Sequence, residues 1–502
     1  MTSRLGYVLL LAMACAPALP EAGDGGSTAG GGDTAGGGST AGGGDTAGGG
    51  DTAGGGNTAG GGSTAGGSNA AWVATKWVTP SGSATSACAQ ATPCTLERAM
   101  ALATAGDQVR VADGVYQRAC PTQNRRSTPA FFPANDGTAS APIVFFAEHR
   151  AALGGLQRSE VRNTATAIDT GCPAIGALDN TFIVFDGFYV DEARSPSTPD
   201  TGPVTVWASD DVTVQYFDIR GTAIPRMDNH SGIRIEVTRR PVLRHNRISG
   251  FHLPNSGGEN HTGIMAYDAI NGLIENNTLD NNGGGIFIKG DHDLPGYGLG
   301  GFTVRNNLIT NARRVGIELG GIKVGPGYGR TTLSHNVVSG GQFGMMFKSY
   351  DPLSPRDFTA RNNTFVGLYS GFQLTSPAGA NPSCFTMVEL RDNLFATTQW
   401  GIELHWNTAQ RGVILAAGFQ SNGNFFSSVD HIGCLETWST DGAPAYDTLA
   451  AWRTASGVDA TSTTGAVTFV APATLDYRLT AGSPAQGKGA YVTGSEVIGV
   501  SP

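Results

Sequence analysis

The chain has 502 residues, of which 74 are glycine, with charged residues at 15% and a formal net charge of −9. The acidic balance argues against nucleic acid as a partner, because phosphate binding needs a basic footprint; it leaves room for an acidic polysaccharide held in a locally basic groove. Length alone would suggest about three average domains, but repeat architectures run long as single units, so periodicity is read first.

Residues 1–15 read MTSRLGYVLLLAMAC. Arg4 gives a positive start, and Leu5 to Ala14 form an apolar stretch that fits an export signal and is too short to span a bilayer. The ending Ala12-Met13-Ala14-Cys15 resembles the lipobox of bacterial lipoproteins, which implies lipid on Cys15 and a membrane link through that anchor alone. Ordinary cleavage after a small residue is the alternative. The expected location is the cell surface or outer membrane, or the medium.

Residues 16–70 read as a linker. From Ser27 to Ser68 they repeat seven hexads of the form (S/D/N)-T-A-G-G-(G/S). No large apolar side chain is present to offset the entropy of ordering the segment. A flexible coil of this length has a reach on the order of 40 Å. The glycine period of six excludes collagen, which needs three.

With Cys15 set aside, six cysteines remain, an even number that suits an oxidising compartment. The expected pairs are Cys88 with Cys94, Cys120 with Cys172, and Cys384 with Cys434. Residues Thr95 to Thr104 place Leu96, Ala99, Met100 and Ala103 on one helical face. A short helix there would cover the first open coil of a repeat array, whose end otherwise exposes apolar surface and strand edges.

Residues 71–445 are read as the repeat body. An asparagine flanked by β-formers recurs at Asn246, Asn277, Asn307, Asn336, Asn363, Asn393 and Asn424, at intervals of 31, 30, 29, 27, 30 and 31. Phe217 and Gly187 extend the series upstream at 29 and 30. Short runs of Val, Ile, Leu, Phe and Thr fill each unit, with no helical stripe. The expected fold is all-β, a right-handed parallel β-helix with a short N-terminal capping helix; a propeller is the alternative. Asparagine suits a turn because it tolerates left-handed backbone, and stacked asparagines can bond one another in a ladder.

A second strand in each unit begins with glycine, at Gly232, Gly263, Gly285, Gly316, Gly344, Gly371 and Gly401. Period two sorts its faces. Ile233/Ile235, Ile264/Ala266, Ile286/Ile288, Ile317/Leu319, Met345/Phe347, Phe372/Leu374 and Ile402/Leu404 point inward. The outward set is Arg234/Glu236, Met265/Tyr267, Phe287/Lys289, Glu318/Gly320, Met346/Lys348, Gln373/Thr375 and Glu403/His405. Past Asn424 the period fades, and residues 446–502 are expected to hold the second cap and a tail.

The stretch from Trp77 through Pro93-Cys-Thr-Leu-Glu-Arg-Ala to Gly106-Asp107-Gln-Val-Arg-Val-Ala-Asp-Gly114-Val-Tyr116 resembles the start of many secreted β-helix proteins, among them pectate lyases, chondroitinase-B-like lyases and alginate lyases. Asp476-Tyr-Arg-Leu-Thr-Ala-Gly-Ser-Pro484-Ala is similar to a common ending there. The resemblance implies a polysaccharide, in particular an acidic one, bound along one parallel sheet. The outward row is then the candidate floor: Arg234, Glu236, Tyr267, Phe287, Glu318, Glu403 and His405 for substrate, with Lys289 and Lys348 as candidate bases. Lys348-Ser349 resembles the Lys-Ser of the chondroitinase-B-like family, where the lysine is the base. Oxygen ligands suit calcium, and Asp268, Asp291 and Asp293 just past the strands are the candidates for it, a polar turn being the bland alternative. The sequence departs from that family. Phe287 and Met346 stand where acidic residues would precede the lysines, and no arginine occupies the strand position one coil later, although Arg314 or Arg356 could reach in from a loop.

A lyase removes the C5 proton of a uronic acid and expels the 4-linked sugar, so it needs a cation for the carboxylate and a base. Lysine serves as base when its neighbours favour the uncharged form, though each lysine could equally be a solvated strand residue. A non-catalytic carbohydrate-binding or adhesive protein, and a glycoside hydrolase, are the other two readings; a hydrolase needs two carboxylates facing one bond. Asp210-Asp211 is read as turn chemistry rather than such a pair.

Overall fold

The computed structural model describes residues 72–121, 128–167, 170–197, 200–223, 229–254, 260–290, 300–320, 329–348, 356–375, 385–405, 418–435 and 445–500. The expected export signal, Cys15 and the hexads lie outside these residues.

Each coil contributes strands to three parallel ladders. The first ladder has twelve strands, beginning with Lys76–Ser83, Gln108–Val111 and Ile143–Ala147 and ending with Phe419–Asn422. The second follows each asparagine turn: Tyr189–Asp191, Asp218–Arg220, Arg247–Ser249 and Thr278–Asp280 pair in turn, each with the next. The third contains the glycine-led strands, from Ile175–Leu178 through His230–Arg239, His261–Ile270 and Gly284–Lys289 to His431–Cys434. In the middle coils the second and third ladders share continuous strands such as Leu308–Gly320 and Val337–Lys348.

The register of the third ladder follows the period-two pattern. Ile233, Ile264, Ile286, Ile317, Met345, Phe372 and Ile402 align coil on coil. So do Ile235, Ala266, Ile288, Leu319, Phe347, Leu374 and Leu404. All fourteen are buried in one core cluster that runs the length of the helix. A slip of one residue would turn this whole row to the outer face, so burial specifies the register.

The leading glycines are required by close approach. A Cβ on Gly285 would lie 2.4 Å from the Gly316 carbonyl oxygen and 2.6 Å from Ile309 Cγ2. Gly285→Ala should therefore cost about 1–3 kcal/mol, the usual penalty for overpacking, while Gly329→Ala, where nothing lies within 4 Å, should be neutral. Urea denaturation of the two variants side by side checks this.

The seven asparagines form a continuous buried ladder. Each Nδ2 from Asn246 to Asn393 donates to the Oδ1 of the asparagine one coil on, at 2.9–3.1 Å. Each also donates to a first-ladder carbonyl, as Asn307 does to Ile274. The left-handed backbone falls one residue earlier than the sequence suggested: His245, Asn276, Asn306, His335, Asn362 and Asp392 have φ of 52–56°. The aligned asparagine is fixed by its side-chain bonds, and the residue before it makes the turn.

Both ends are closed. The helix Leu96–Leu102 buries Leu96, Ala99 and Met100, with the Thr95 side chain accepting from the Arg98 N–H. At the other end the helix Leu449–Ser456 buries Trp452, whose indole donates to Asp459 at 2.8 Å. The other Asp459 oxygen accepts from Asn424 and so terminates the asparagine ladder. The chain then turns back along the outside of the second ladder. Ala490 N donates to Thr364, Gly499 N to Asn306 and Val500 N to Thr278. Tyr477 and Ala490 pack on Val337, with Leu308 and Ile498 alongside; Ala485 packs on Leu394 and Phe425. This path was not foreseen from the sequence.

The Cys88–Cys94 and Cys120–Cys172 disulfides are both formed, as expected. Cys434 is buried; its expected partner, Cys384, lies outside the described residues.

Candidate functional site on the outer face of the third ladder

The outward residues of the third ladder form two rows. Arg234, Met265, Phe287, Glu318, Met346, Gln373 and Glu403 align in one. The other runs Glu236, Tyr267, Lys289, Gly320 and resumes at Lys348, Thr375, His405. The first row is more enclosed than a solvated face would be. Met265, Phe287 and Met346 are buried, and so are Arg234, Glu318 and Glu403. Three charged side chains are interspersed among apolar and polar ones in that row, and each charge sits beside an opposite charge or a ring.

Three polar groups result. In the first, Arg234 Nε donates to Glu236 at 2.8 Å, and its guanidinium carbon lies 5.7 Å from the Tyr267 ring centroid. Lys289 Nζ lies 5.6 Å from the same centroid and 5.1 Å from that of buried Phe287, and donates to Asn260 Oδ1 at 2.8 Å. Two cations thus share one tyrosine ring. In the second, Arg314 pairs with Glu318 at 2.9 Å, from within the strand Leu308–Gly320 and not from a loop. Lys348 is half-buried at the end of its strand, two coils from Lys289 with Gly320 between them. In the third, Gln373 donates to Glu403 at 3.2 Å, and His405 Nε2 lies 3.3 Å from Glu403 Oε1. Tyr369 stands beside this group; burial, with the Glu403 charge added, pushes its hydroxyl above the ordinary tyrosine range.

Asp268 is buried within the strand His261–Ile270, with φ of 48°, and not in a loop past the strand end as the sequence suggested. Asp291, Asp293 and the Arg356 side chain lie outside the described residues. Among the described residues no group of three or more His, Cys, Asp or Glu is placed to hold a metal ion. Asp210 and Asp211 pair with Arg239 at 3.0 Å and Arg240 at 2.7 Å, in keeping with turn chemistry.

Sequence reasoning missed Asn260 and Gln373. Asn260 precedes Lys289 by 29 residues, one repeat, so an aligned comparison of the segments before each third-ladder strand is the signal that would have found it. Gln373 was seen in the outward row but not as a bridge to Glu403 and His405.

The three ladders and the polar outer face of one of them define the class: this is a right-handed parallel β-helix protein. Residues 231–422 match the family described as "Right handed beta helix region". Among solved structures the chain is similar to a pectate lyase, Pel9A, at 14% identity and a TM-score of 0.51, covering 85% of this chain and 94% of that one. It is also similar to a PL6 family polysaccharide lyase, Pedsa3628 from Pseudopedobacter saltans (12% identity, TM-score 0.45, 78% of this chain and 91% of that one). A third is a hyperthermoactive exopolygalacturonase from Thermotoga maritima (11% identity, TM-score 0.46, 75% and 96%). At these identities the likeness is one of fold. No curated protein matches the sequence. No helix among the described residues is long and apolar enough to cross a membrane, and the two disulfides suit an oxidising compartment.

Proposed function

We propose that the protein is an exported polysaccharide lyase that cleaves an acidic glycan by β-elimination on the outer face of the third ladder. The observation that carries this reading is the placing of Arg234 and Lys289 within 6 Å of one tyrosine ring, with Lys348 two coils further along. In this reading Arg234 meets the uronate carboxylate and one lysine takes the proton. The base removes the C5 proton, the electron pair forms the C4–C5 double bond, and the C4–oxygen bond breaks with the oxygen leaving as a hydroxyl that takes its proton from water. Lysine takes up a proton only when uncharged, a form that a neighbouring cation favours. Calcium, held by Asp268, Asp291 and Asp293, is a further proposal; no step here depends on it.

A hydrolase is less well supported. Glu318 and Glu403 are three strands apart in their row, about 14 Å at ordinary strand spacing, whereas paired glycosidase carboxylates stand roughly 5–9.5 Å apart. One observation favours non-catalytic binding as the second reading: Arg234 and Glu318 are already paired with Glu236 and Arg314. Incubation with pectate, alginate and chondroitin separates the readings. Absorbance of an unsaturated product supports the lyase; new reducing ends without that absorbance support the hydrolase; affinity with neither supports binding alone.

Export by an N-terminal signal and anchoring through lipid on Cys15 complete the proposal. Cys15→Ala should move the protein from the membrane fraction to the soluble fraction and abolish incorporation of labelled fatty acid. Unchanged fractionation would discard the anchor.

A further inference from the structure

We infer that the outer face of the second ladder carries a separate binding surface for a linear polysaccharide bearing carboxylates or sulfates. The surface is a stripe of arginines around Tyr189. Arg158 stacks on the Tyr189 ring, its guanidinium carbon 3.5 Å from the centroid, and those of Arg220 and Arg194 lie at 5.5 and 5.6 Å. Arg162 and Arg247 extend the stripe on either side. The register Glu160, Tyr189, Asp218, Arg247 shows that four successive coils contribute, a rise of about 14 Å along the axis.

The charges are layered. Glu160 and Asp218 lie at the base, with side chains 4% and 8% exposed, while Arg194 and Arg220 stand above them at 37% and 54%. Glu160 receives Arg162 at 2.5 Å and Arg194 at 3.1 Å, so one buried carboxylate orients two guanidiniums outward. Asp191 holds Arg194 from the side at 2.8 Å, and Asp218 holds Arg220 at 3.1 Å. Five arginines thus outnumber three carboxylates. Burial pushes the Asp218 carboxyl up, against the lowering effect of Arg220 and Arg247 beside it. Arg158 reaches its nearest acid only at 4.0 Å, and Arg247, which is exposed, makes no ion pair among the described residues. Pairing for stability alone would not need the excess.

A stack of guanidiniums running along the axis fits anionic groups repeated along a chain better than a single ion. Guanidinium forks bind carboxylate and sulfate oxygens alike. The stripe borders the C-terminal segment: Val500 donates to Thr278, and Thr278 is the ladder neighbour of Arg247. Further along the ladder Leu308, Val337 and Leu394 pack against the C-terminal segment, whereas at the stripe buried Glu160, Tyr189 and Asp218 lie beneath the exposed Arg194, Arg220 and Arg247. The surface stands on a different ladder from the proposed cleavage site and does not depend on cleavage.

The test is retention of the full-length protein on immobilised polygalacturonate and on chondroitin sulfate across a salt series. Arg158→Ala/Arg220→Ala/Arg247→Ala should weaken binding about tenfold or more and flatten its salt dependence, since each lost contact releases fewer counterions. Arg220→Glu/Arg247→Glu alters only exposed side chains and guards against a folding defect in the first variant. Preference for polygalacturonate would identify the carboxylate as the bound group; preference for chondroitin sulfate would identify the sulfate. The inference fails if both arginine variants bind within about twofold of the parent, if Lys289→Ala/Lys348→Ala alone abolishes binding, or if anionic phospholipid vesicles are retained and neither polysaccharide is.

Discussion

Asn307→Ala is expected to destabilise the protein by on the order of 4 kcal/mol, a large share of the 5–15 kcal/mol typical of a folded domain. Asn307 is fully buried in the middle of its ladder. Its Oδ1 accepts from both the backbone N–H and the Nδ2 of Asn277, and its Nδ2 donates to Asn336 Oδ1 and the Ile274 carbonyl. Truncation leaves four buried polar atoms each short of a partner, and each unsatisfied atom costs about 1–3 kcal/mol. Local relaxation recovers part of that sum. Asn307→Asp should also be costly, because it removes the donors and buries a carboxylate among carbonyls. Chemical denaturation followed by circular dichroism reads the change in midpoint. A loss below about 1 kcal/mol would mean that the asparagine column is a by-product of turn preference and not a source of stability.

For the proposed cleavage, Lys289→Ala is expected to lower kcat by 10²–10⁴-fold, the usual contribution of a general base, with stability unchanged because the lysine head is half-buried at the rim of the face. Lys289→Arg should not restore the rate, since a guanidinium does not give up its proton near neutral pH. Lys348→Ala is the paired experiment. If Lys289 is the base, the Lys348 variant should raise KM more than it lowers kcat, as removal of a substrate contact does; the reverse split would exchange the two roles. Undiminished cleavage in both variants would remove lysine from the mechanism.

The sequence made the coil period, the asparagine ladder and the inward row legible for one reason. Each depends on a residue meeting its own equivalent one coil away, so the same side chain recurs at the same place. The turn position was legible only to within a residue, because Tyr216, His245, Asn306 and Asp392 all take up the left-handed backbone and share no single residue type. The outward row could be assigned by alternation, but its burial could not. Exposure of Phe287 or Glu318 depends on how neighbours along the same strand fold back over the row, as Lys289 does over Phe287 and Arg314 does onto Glu318. The arginine stripe was hidden for a related reason. Its members come from four coils at unlike positions, and only the strand pairing of Glu160 with Tyr189 and of Asp218 with Arg247 assembles them.

The return of the C-terminal segment has a kinetic consequence. In a simple stack each repeat contacts only its neighbours, so folding can start anywhere and spread. Here Val500 bonds to Thr278, 222 residues earlier, and Tyr477 meets Ser339 across 138. Contacts of such long sequence separation slow folding. They also clamp the middle coils to the last ones, so those coils should lose structure together instead of peeling away one at a time. The outer surface of the middle coils is complete only once residues 477–500 have been synthesised.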